Sequence, residues 1–179
     1  DKVYVYMVNR YYCQFDEKGN SIAYWMKDKE KLKELCDENK VRMNLVQGVR
    51  PPNISLRDTT DVNWRDFYSL KSEYTILYFW DPECGHCKKT TPKLQTLYEK
   101  KFKKRNVEIF AVGKATGEDF EKWKKFIRDN KLEFINVGLT KKLFEDATAD
   151  PRQFIPKYTT LEALNYHDTY DIYATPRIF

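Results

Sequence analysis

Two short apolar runs constrain the fold of this chain more than any other feature. The segments YTILYFW (74–80) and VEIFAVG (107–113) are nearly continuous in apolar and aromatic residues. Such runs are typical of strands buried on both faces of a sheet. A helical segment of about 17 residues, starting near His86, separates them, and a second helix (118–130) and the short strand FINVG follow. This order predicts an α/β fold with a largely parallel central sheet and right-handed crossovers.

The first fifty residues have a different character. Apolar residues recur at helical spacing over residues 28–47, with Asp28 as the predicted N-cap and Gly48 as the stop signal. The prolines of VRPPNI then interrupt the pattern near Pro51. We therefore predict a helical extension (1–50), a second domain (51–179) and, inside that domain, an inserted, partly helical loop (139–160).

Charge and hydropathy exclude two classes of partner. The 32 basic and 27 acidic residues give a net charge of +5, and they are interleaved along the chain as on a solvated helix surface. No basic run alternates with stacking aromatics, so we expect no nucleic-acid partner. No run of about 18 apolar residues exists, so we expect no membrane span. The sequence begins with Asp1 rather than Met, as in a mature protein whose export signal has been removed or in a trimmed piece of a longer protein.

Two cysteines with CxxC spacing, Cys84 and Cys87, lie directly after the first apolar run, in FWDPECGHCKKTTP (79–92). A structural zinc site needs four ligands, and the sequence contains no second CxxC and no HxxxH. A purely structural disulfide between them would close a very short loop and constrain the unfolded chain little. The strand-to-helix position instead favours a redox pair, and we predict no metal and no cofactor.

The position of each cysteine on the helix predicts its role. Free N–H groups and the positive end of the helix dipole stabilise a thiolate at a helix N-terminus. A cysteine with a pKa of about 8.5 is roughly 3% thiolate at neutral pH, whereas one with a pKa of about 6.5 is roughly three-quarters thiolate. Cys84 is therefore the predicted nucleophile and Cys87 the resolving thiol. His86 can add positive charge, and Gly85 permits close approach of a partner backbone.

Three segments together resemble a known family. YFWDPECGHCKKTTPKLQTLYEKKF, followed by VEIFAVG and later by YDIYATPRIF, is similar to the thioredoxin superfamily, and within it to the exported bacterial thiol-disulfide oxidoreductases of the TlpA and ResA type. The resemblance covers about residues 51–179. It implies a thioredoxin-like fold, a mixed sheet flanked by helices, and exchange of disulfides with protein thiols in the periplasm or cell envelope. A membrane-bound electron donor is a further implied partner.

The resemblance also implies site residues far from the CxxC. The family's Thr-Pro bond is cis and lies beside the redox pair, which carries over to Thr175 and Pro176. Ala174 and Thr175 would then present backbone groups to an extended substrate peptide. Trp80 matches a tryptophan that packs beneath the site, and the resemblance implies that it belongs with Gly85, Ala174 and Thr175 to the substrate-binding residues. One departure is Tyr78, which stands where thioredoxin has a buried acid, and Glu83 is a candidate proton carrier in its place.

The CGHC tetrad is that of protein disulfide isomerases, whereas the exported branch commonly contains reductases, so the resemblance leaves the direction of electron flow open. The complete fold continues past the cis proline with a hairpin and a final helix, which this sequence is expected to lack after Phe179. Two other functions stay open: a non-catalytic binding module on the same scaffold, and a thiol peroxidase. Peroxidases usually carry a Thr three residues before the attacking cysteine, and here that residue is Asp81.

Two further features concern the extension. Cys13 and Cys36 are predicted to be buried free thiols, with a disulfide, which suits an oxidising compartment, as the alternative. The aromatic run Tyr4, Tyr6, Tyr11 and Tyr12 is predicted to contribute to the core.

Overall fold

A computed structural model describes residues 2–179. The helices are α1 (Lys2–Tyr11), α2 (Lys29–Met43), α3 (Gly85–Leu97), α4 (Asp119–Asp129), α5 (Lys141–Ala149), α6 (Leu161–Leu164) and α7 (Tyr166–Thr169). The strands are β1 (Ser55–Asp58), β2 (Trp64–Asp66), β3 (Tyr74–Trp80), β4 (Val107–Gly113), β5 (Ile135–Gly138) and β6 (Arg177–Ile178). No helix within residues 2–179 is long and apolar enough to cross a membrane.

The chain forms two compact units. The smaller comprises the residues up to Pro52 together with His167–Asp171, and the larger comprises Asn53–Tyr166 and Ile172–Phe179. The larger unit contains all six strands and the CxxC.

The larger unit is built on one six-stranded sheet with the order β2-β1-β5-β4-β3-β6. The predicted strands β3, β4 and β5 pair in parallel, whereas β1, β2 and β6 join in antiparallel pairs. The sheet is therefore mixed, and the predicted thioredoxin-like α/β fold is confirmed. Sequence analysis missed β1 and β2 because they are short and rich in polar residues, so each carries little hydrophobic periodicity.

The helix after β3 begins one residue before the predicted start. It runs from Gly85 to Leu97 despite Pro92, and it continues through a π-helical turn (Tyr98–Phe102) and a 3-10 turn (Lys103–Arg105). Its buried side chains include Cys87, Thr91 and Leu94. Proline lacks the N–H that would bond the preceding turn, so the helix tolerates it with a local loss of one hydrogen bond.

One apolar face of α4 packs against the sheet. Trp123 is fully buried, and Phe120, Phe126 and Ile127 pack against the same core as Trp80 and Cys87. These apolar contacts therefore join α3, the central strands and α4 in one core.

The inserted stretch is anchored on β1. It contains α5 and a 3-10 turn (Pro151–Gln153). The Ser55 hydroxyl donates to the Tyr158 carbonyl over 2.6 Å, and the Thr159 hydroxyl donates to the Ser55 carbonyl over 2.8 Å. The two short helices α6 and α7 follow the inserted stretch.

The smaller unit contains α1 and α2, and a disulfide joins the loop after α1 to α2. Asp28 caps α2 by accepting the Lys31 N–H over 3.1 Å, as predicted, but the helix ends at Met43, short of Gly48. Cys13 and Cys36 are bonded to each other with a Cα–Cα distance of 5.4 Å. The prediction of two buried free thiols is therefore wrong. Pairing depends on a loop folding back onto α2, which no local pattern encodes.

The aromatic run also differs from the prediction. Tyr4, Tyr6 and Tyr11 are each about half exposed, whereas the residues of α1 that are buried are Val5 and Val8. Val5 and Val8 lie three residues apart on α1 and define its buried side, and the tyrosines flank that side.

Strand β4 and helix α4 approach each other closely at Gly113. A Cβ added to Gly113 would lie 2.0 Å from Trp123 Nε1, which no rearrangement of a distant side-chain tip can relieve because the indole is fully buried. The absence of a side chain at this strand position thus allows Trp123 to pack directly on the sheet.

We expect Gly113→Ala to lower the free energy of unfolding of the larger unit by about 1–3 kcal/mol, because the methyl group overpacks the core. Urea unfolding followed by circular dichroism measures this. Gly85→Ala is the matched control, since a Cβ there meets no atom within 4 Å. Equal stability of the two variants would contradict the packing argument.

Candidate active site

Cys84 lies at the point where a buried strand gives way to a helix. Strand β3 ends at Trp80, and Cys84 is the N-cap of α3. Its Sγ accepts the backbone N–H of Cys87 over 3.4 Å, the distance expected of a long sulfur hydrogen bond. The turn between β3 and α3 is stabilised by the Asp81 carboxylate, which accepts the Glu83 N–H over 2.7 Å. The predicted placement of Cys84 at the helix start is therefore what the structure has.

The environment of Cys84 favours its thiolate. Partial burial acts to raise the pKa, but hydrogen bonds from the Cys87 N–H and thiol, the Thr175 side chain and the His86 N–H outweigh it and lower the pKa of Cys84 below its usual value. These donors lie in the first turn of α3, except for Thr175. A helix N-terminus thus supplies most of the stabilisation.

Cys87 has the opposite environment. It is fully buried in the core between α3 and the sheet. Burial raises its pKa to about 11, assisted by the neighbouring Cys84 and opposed by a hydrogen bond from the Asp81 backbone N–H. The two thiols therefore differ in both exposure and acidity, although only two residues separate them. Both are free in this structure.

The Thr175–Pro176 peptide bond is cis and lies against the redox pair. The Thr175 carbonyl oxygen is 3.2 Å from Cys84 Sγ, which donates to it when protonated, across 91 residues of sequence. Antiparallel pairing of β6 with β3, Phe79 opposite Arg177, brings the segment there. Ala174 is exposed beside the bond, and Tyr173 is also exposed.

Trp80 supports the site from below. Its side chain is 1% exposed and packs on the Phe126 ring, with 5.1 Å between centroids. A residue so deeply buried cannot contact a substrate, so its contribution is to position the turn that follows β3.

Gly85 and His86 both lie on the exposed side of the first turn of α3. A Cβ at Gly85 would meet no atom within 4 Å, so the fold itself does not require glycine there. The open space leaves room for a partner chain directly beside Cys84.

Behind Cys87, the buried hydroxyls of Tyr78 and Thr91 bond to each other over 2.7 Å. Burial raises the pKa of Tyr78 to about 12, and the charges of the nearby cysteines act in the same direction. Sequence analysis identified Tyr78 but missed Thr91. The sequence signal that could have identified Thr91 is its position one helical turn after Cys87, on the same face of α3.

Glu83 is poorly suited to carrying a proton. Its carboxylate is 3.2 Å from Lys122 Nζ and 3.6 Å from Lys88 Nζ, and these lysines, Lys122 foremost, lower its pKa. The ionised form is thus favoured. Within residues 2–179, no group of three or more His, Cys, Asp or Glu side chains is placed to hold a metal ion.

Several known proteins share this architecture. A family model described as thioredoxin-like matches residues 72–150. A domain of a possible thiol-disulfide isomerase from Cytophaga hutchinsonii is 32% identical, with 75% of this chain and 76% of that chain aligned and a TM-score of 0.54. The thioredoxin domain of a thiol-disulfide oxidoreductase from Bacteroides vulgatus is 26% identical over 74% and 79% of the two chains, also with a TM-score of 0.54. No curated protein matches the sequence.

A thioredoxin-like protein from Bacteroides caccae resembles the chain in fold alone. It is 14% identical, with a TM-score of 0.62 over 98% of this chain and 60% of that one. The family model, the isomerase domain at 32% identity and the strand-to-helix site agree. The chain therefore belongs to the thiol-disulfide oxidoreductases of the thioredoxin superfamily.

Proposed function

We propose that this protein exchanges disulfides with protein substrates, with Cys84 as the nucleophile and Cys87 as the resolving thiol. The observation that carries the proposal is the position of Cys84 Sγ, at the N-terminus of α3 and 3.2 Å from the Thr175 carbonyl beside Pro176. The Cys84 thiol is partly exposed and has a lowered pKa, so it can attack first. The buried Cys87 thiol lies three positions further along the chain and can react second.

The exchange begins when the Cys84 thiolate attacks one sulfur of a substrate disulfide. A bond forms between Cys84 and that sulfur, the substrate bond breaks, and the other substrate sulfur leaves with the electron pair and takes up a proton. Cys87 then loses its proton and attacks the Cys84 sulfur, which releases the second substrate thiol. The substrate gains two electrons and two protons, and the protein ends with a Cys84–Cys87 disulfide. The reverse sequence oxidises a substrate dithiol.

Residues around the pair would orient the substrate. Ala174 and Thr175 offer backbone groups to an extended peptide, and Pro176 holds that segment against Cys84. Gly85 leaves space for the substrate backbone, and the exposed imidazole of His86 adds positive charge near the thiolate when it is protonated. Trp80 supports this surface from beneath without touching the substrate.

An exported, oxidising compartment such as the periplasm or cell envelope fits the protein. The Cys13–Cys36 disulfide supports this, because disulfides persist in oxidising compartments and are rare in the cytosol. If the protein works as a reductase there, it needs an electron source, and a membrane-bound donor of the kind used by the TlpA and ResA type would meet that need.

We expect Cys84→Ser to abolish reduction of insulin disulfides, and Cys87→Ser to accumulate a mixed disulfide with the substrate. The reason is that only Cys84 is exposed enough to attack, whereas only Cys87 can release the trapped substrate. Nonreducing electrophoresis and mass spectrometry measure both results. The Cys13→Ser/Cys36→Ser double variant is the control and should retain exchange. Retained activity of Cys84→Ser would overturn the proposal.

The pKa of Cys84 should lie below that of an ordinary cysteine, and the pKa of Cys87 should lie above it. In the reduced protein, alkylation of Cys84 by iodoacetamide should rise through a midpoint below about 8.5, since the thiolate is the reactive form and is lost as pH falls through the lowered pKa. In Cys84→Ser, where burial still acts on Cys87, alkylation should begin only as pH approaches its pKa of about 11. Both thiols should react near pH 8.5 in guanidinium. A common midpoint in the folded protein would contradict the assignment of roles.

The direction of electron flow follows from the reduction potential of the pair. Stabilising the Cys84 thiolate stabilises the reduced protein, so we expect a potential above the roughly −270 mV of thioredoxin. Equilibration with glutathione buffers, followed by alkylation and mass spectrometry, measures it. A value near or above about −180 mV favours an oxidase or isomerase, and one near about −270 mV would contradict the expectation and favour a reductase.

A further inference from the structure

A charged groove lies beside the redox pair in the larger unit. It has a volume of about 350 Å³ and is lined by residues of the turn before Cys84, of α3 and of α4. Pro82 and Glu83 immediately precede Cys84, and Lys88 follows it by one helical turn, with the Lys88 N–H bonded to the Cys84 carbonyl over 2.9 Å. Phe126 forms an apolar wall. The groove is thus adjacent to the nucleophile.

The lining carries more positive charge than its own carboxylates neutralise. Lys88 and Lys122 both pair with the carboxylate of Glu83, at 3.6 Å and 3.2 Å, and Lys122 also lies 3.8 Å from Asp119, outside the groove. The other acidic residue of the groove, Asp129, lies 3.7 Å from the Arg128 guanidinium. Lys125 is exposed and lies within ion-pair distance of no carboxylate in residues 2–179. A surplus of cations therefore faces the space beside Cys84.

We propose that this groove binds an acidic side chain of the substrate polypeptide, next to the cysteine that Cys84 attacks. The inference rests on the proposed function and adds the class of substrate to it. A carboxylate entering the groove meets the two lysines that share Glu83 and also Lys125, whose side chain has no carboxylate within ion-pair distance in residues 2–179. The lysine side chains also offer apolar stems, and Phe126 an apolar wall, to the hydrocarbon part of a Glu or Asp.

The distance along the helix sets where the acidic residue lies in the substrate. Lys88 is four residues beyond Cys84, about 6 Å along the helix axis. An extended peptide advances about 3.3 Å per residue. The acidic residue is therefore expected about two positions from the attacked cysteine.

The test compares three disulfide-bonded peptides that differ only at the second residue from one cysteine, which is Asp, Asn or Lys. In a single round of exchange, the reduced protein should react with the Asp peptide with a second-order rate constant about two- to five-fold above that for the Asn peptide, and the Lys peptide should react most slowly. Raising the ionic strength from about 0.05 M to about 0.5 M should diminish the difference, because the lysines are exposed and their fields are screened.

Charge reversal in the groove separates this interaction from general steering. Lys125→Glu should invert the preference so that the Lys peptide exceeds the Asp peptide. Lys104→Glu is the matched control: it makes the same change in net charge on an exposed lysine in the turn before β4, at the other end of the parallel strands, and should leave the Asp preference intact.

The possible failures differ. Equal turnover of the three peptides, or the same effect from both variants, would overturn the groove inference while leaving disulfide exchange standing. No turnover of any peptide would overturn the proposed function and this inference with it. Circular dichroism of both variants confirms that they fold.

Discussion

Strand β3 is the constraint on which the rest of the larger unit depends. It is buried over its carboxyl-terminal half, pairs in parallel with β4 along seven residues and pairs antiparallel with β6 on its other edge. Burial requires every backbone N–H and C=O group to find a partner, and these two neighbours provide them. The same pairing places the start of α3 and the Thr175–Pro176 bond at one end of the sheet. The placement of Cys84 beside Thr175 and Pro176 therefore follows from the backbone hydrogen bonds that β3 makes with its two neighbouring strands.

One helix end produces two thiols of different character. Cys84 caps α3, where backbone N–H groups point toward its sulfur, whereas Cys87 is turned into the apolar core beneath. Hydrogen bonding to the charged form lowers the pKa of the first, and loss of solvation raises the pKa of the second. The helix end and the apolar core therefore account for the difference between the two thiols. Behind Cys87, the paired hydroxyls of Tyr78 and Thr91 occupy the region where a carboxylate was expected, and they satisfy each other.

Lysines and carboxylates around the site alternate in a chain of ion pairs. Lys114 bridges the carboxylates of Asp81 and Asp119 at 3.7 Å and 3.0 Å, and Lys122 joins Asp119 to Glu83. These pairs tie the turn before Cys84 to α4 through partly exposed contacts, each of modest energy. Their main effect is to fix the position of the turn before Cys84. They also leave lysine charge facing the space beside Cys84.

The sequence by itself determined β3, β4, β5 and α4, the helix start at Cys84 and the Thr-Pro segment, because each has a strong local signal: a continuous apolar run, a 3.6-residue period or a motif. Only the tertiary structure decided the Cys13–Cys36 bond, the β1–β2 hairpin, the burial of Val5 and Val8 in place of the tyrosines, and the Tyr78–Thr91 pair. These depend on which distant segments meet, and a short polar strand or a lone thiol has no periodicity that names its partner. The charged groove is of the same kind, since lysines spread over two helices become one surface only after α3 and α4 pack on the same side of the central strands.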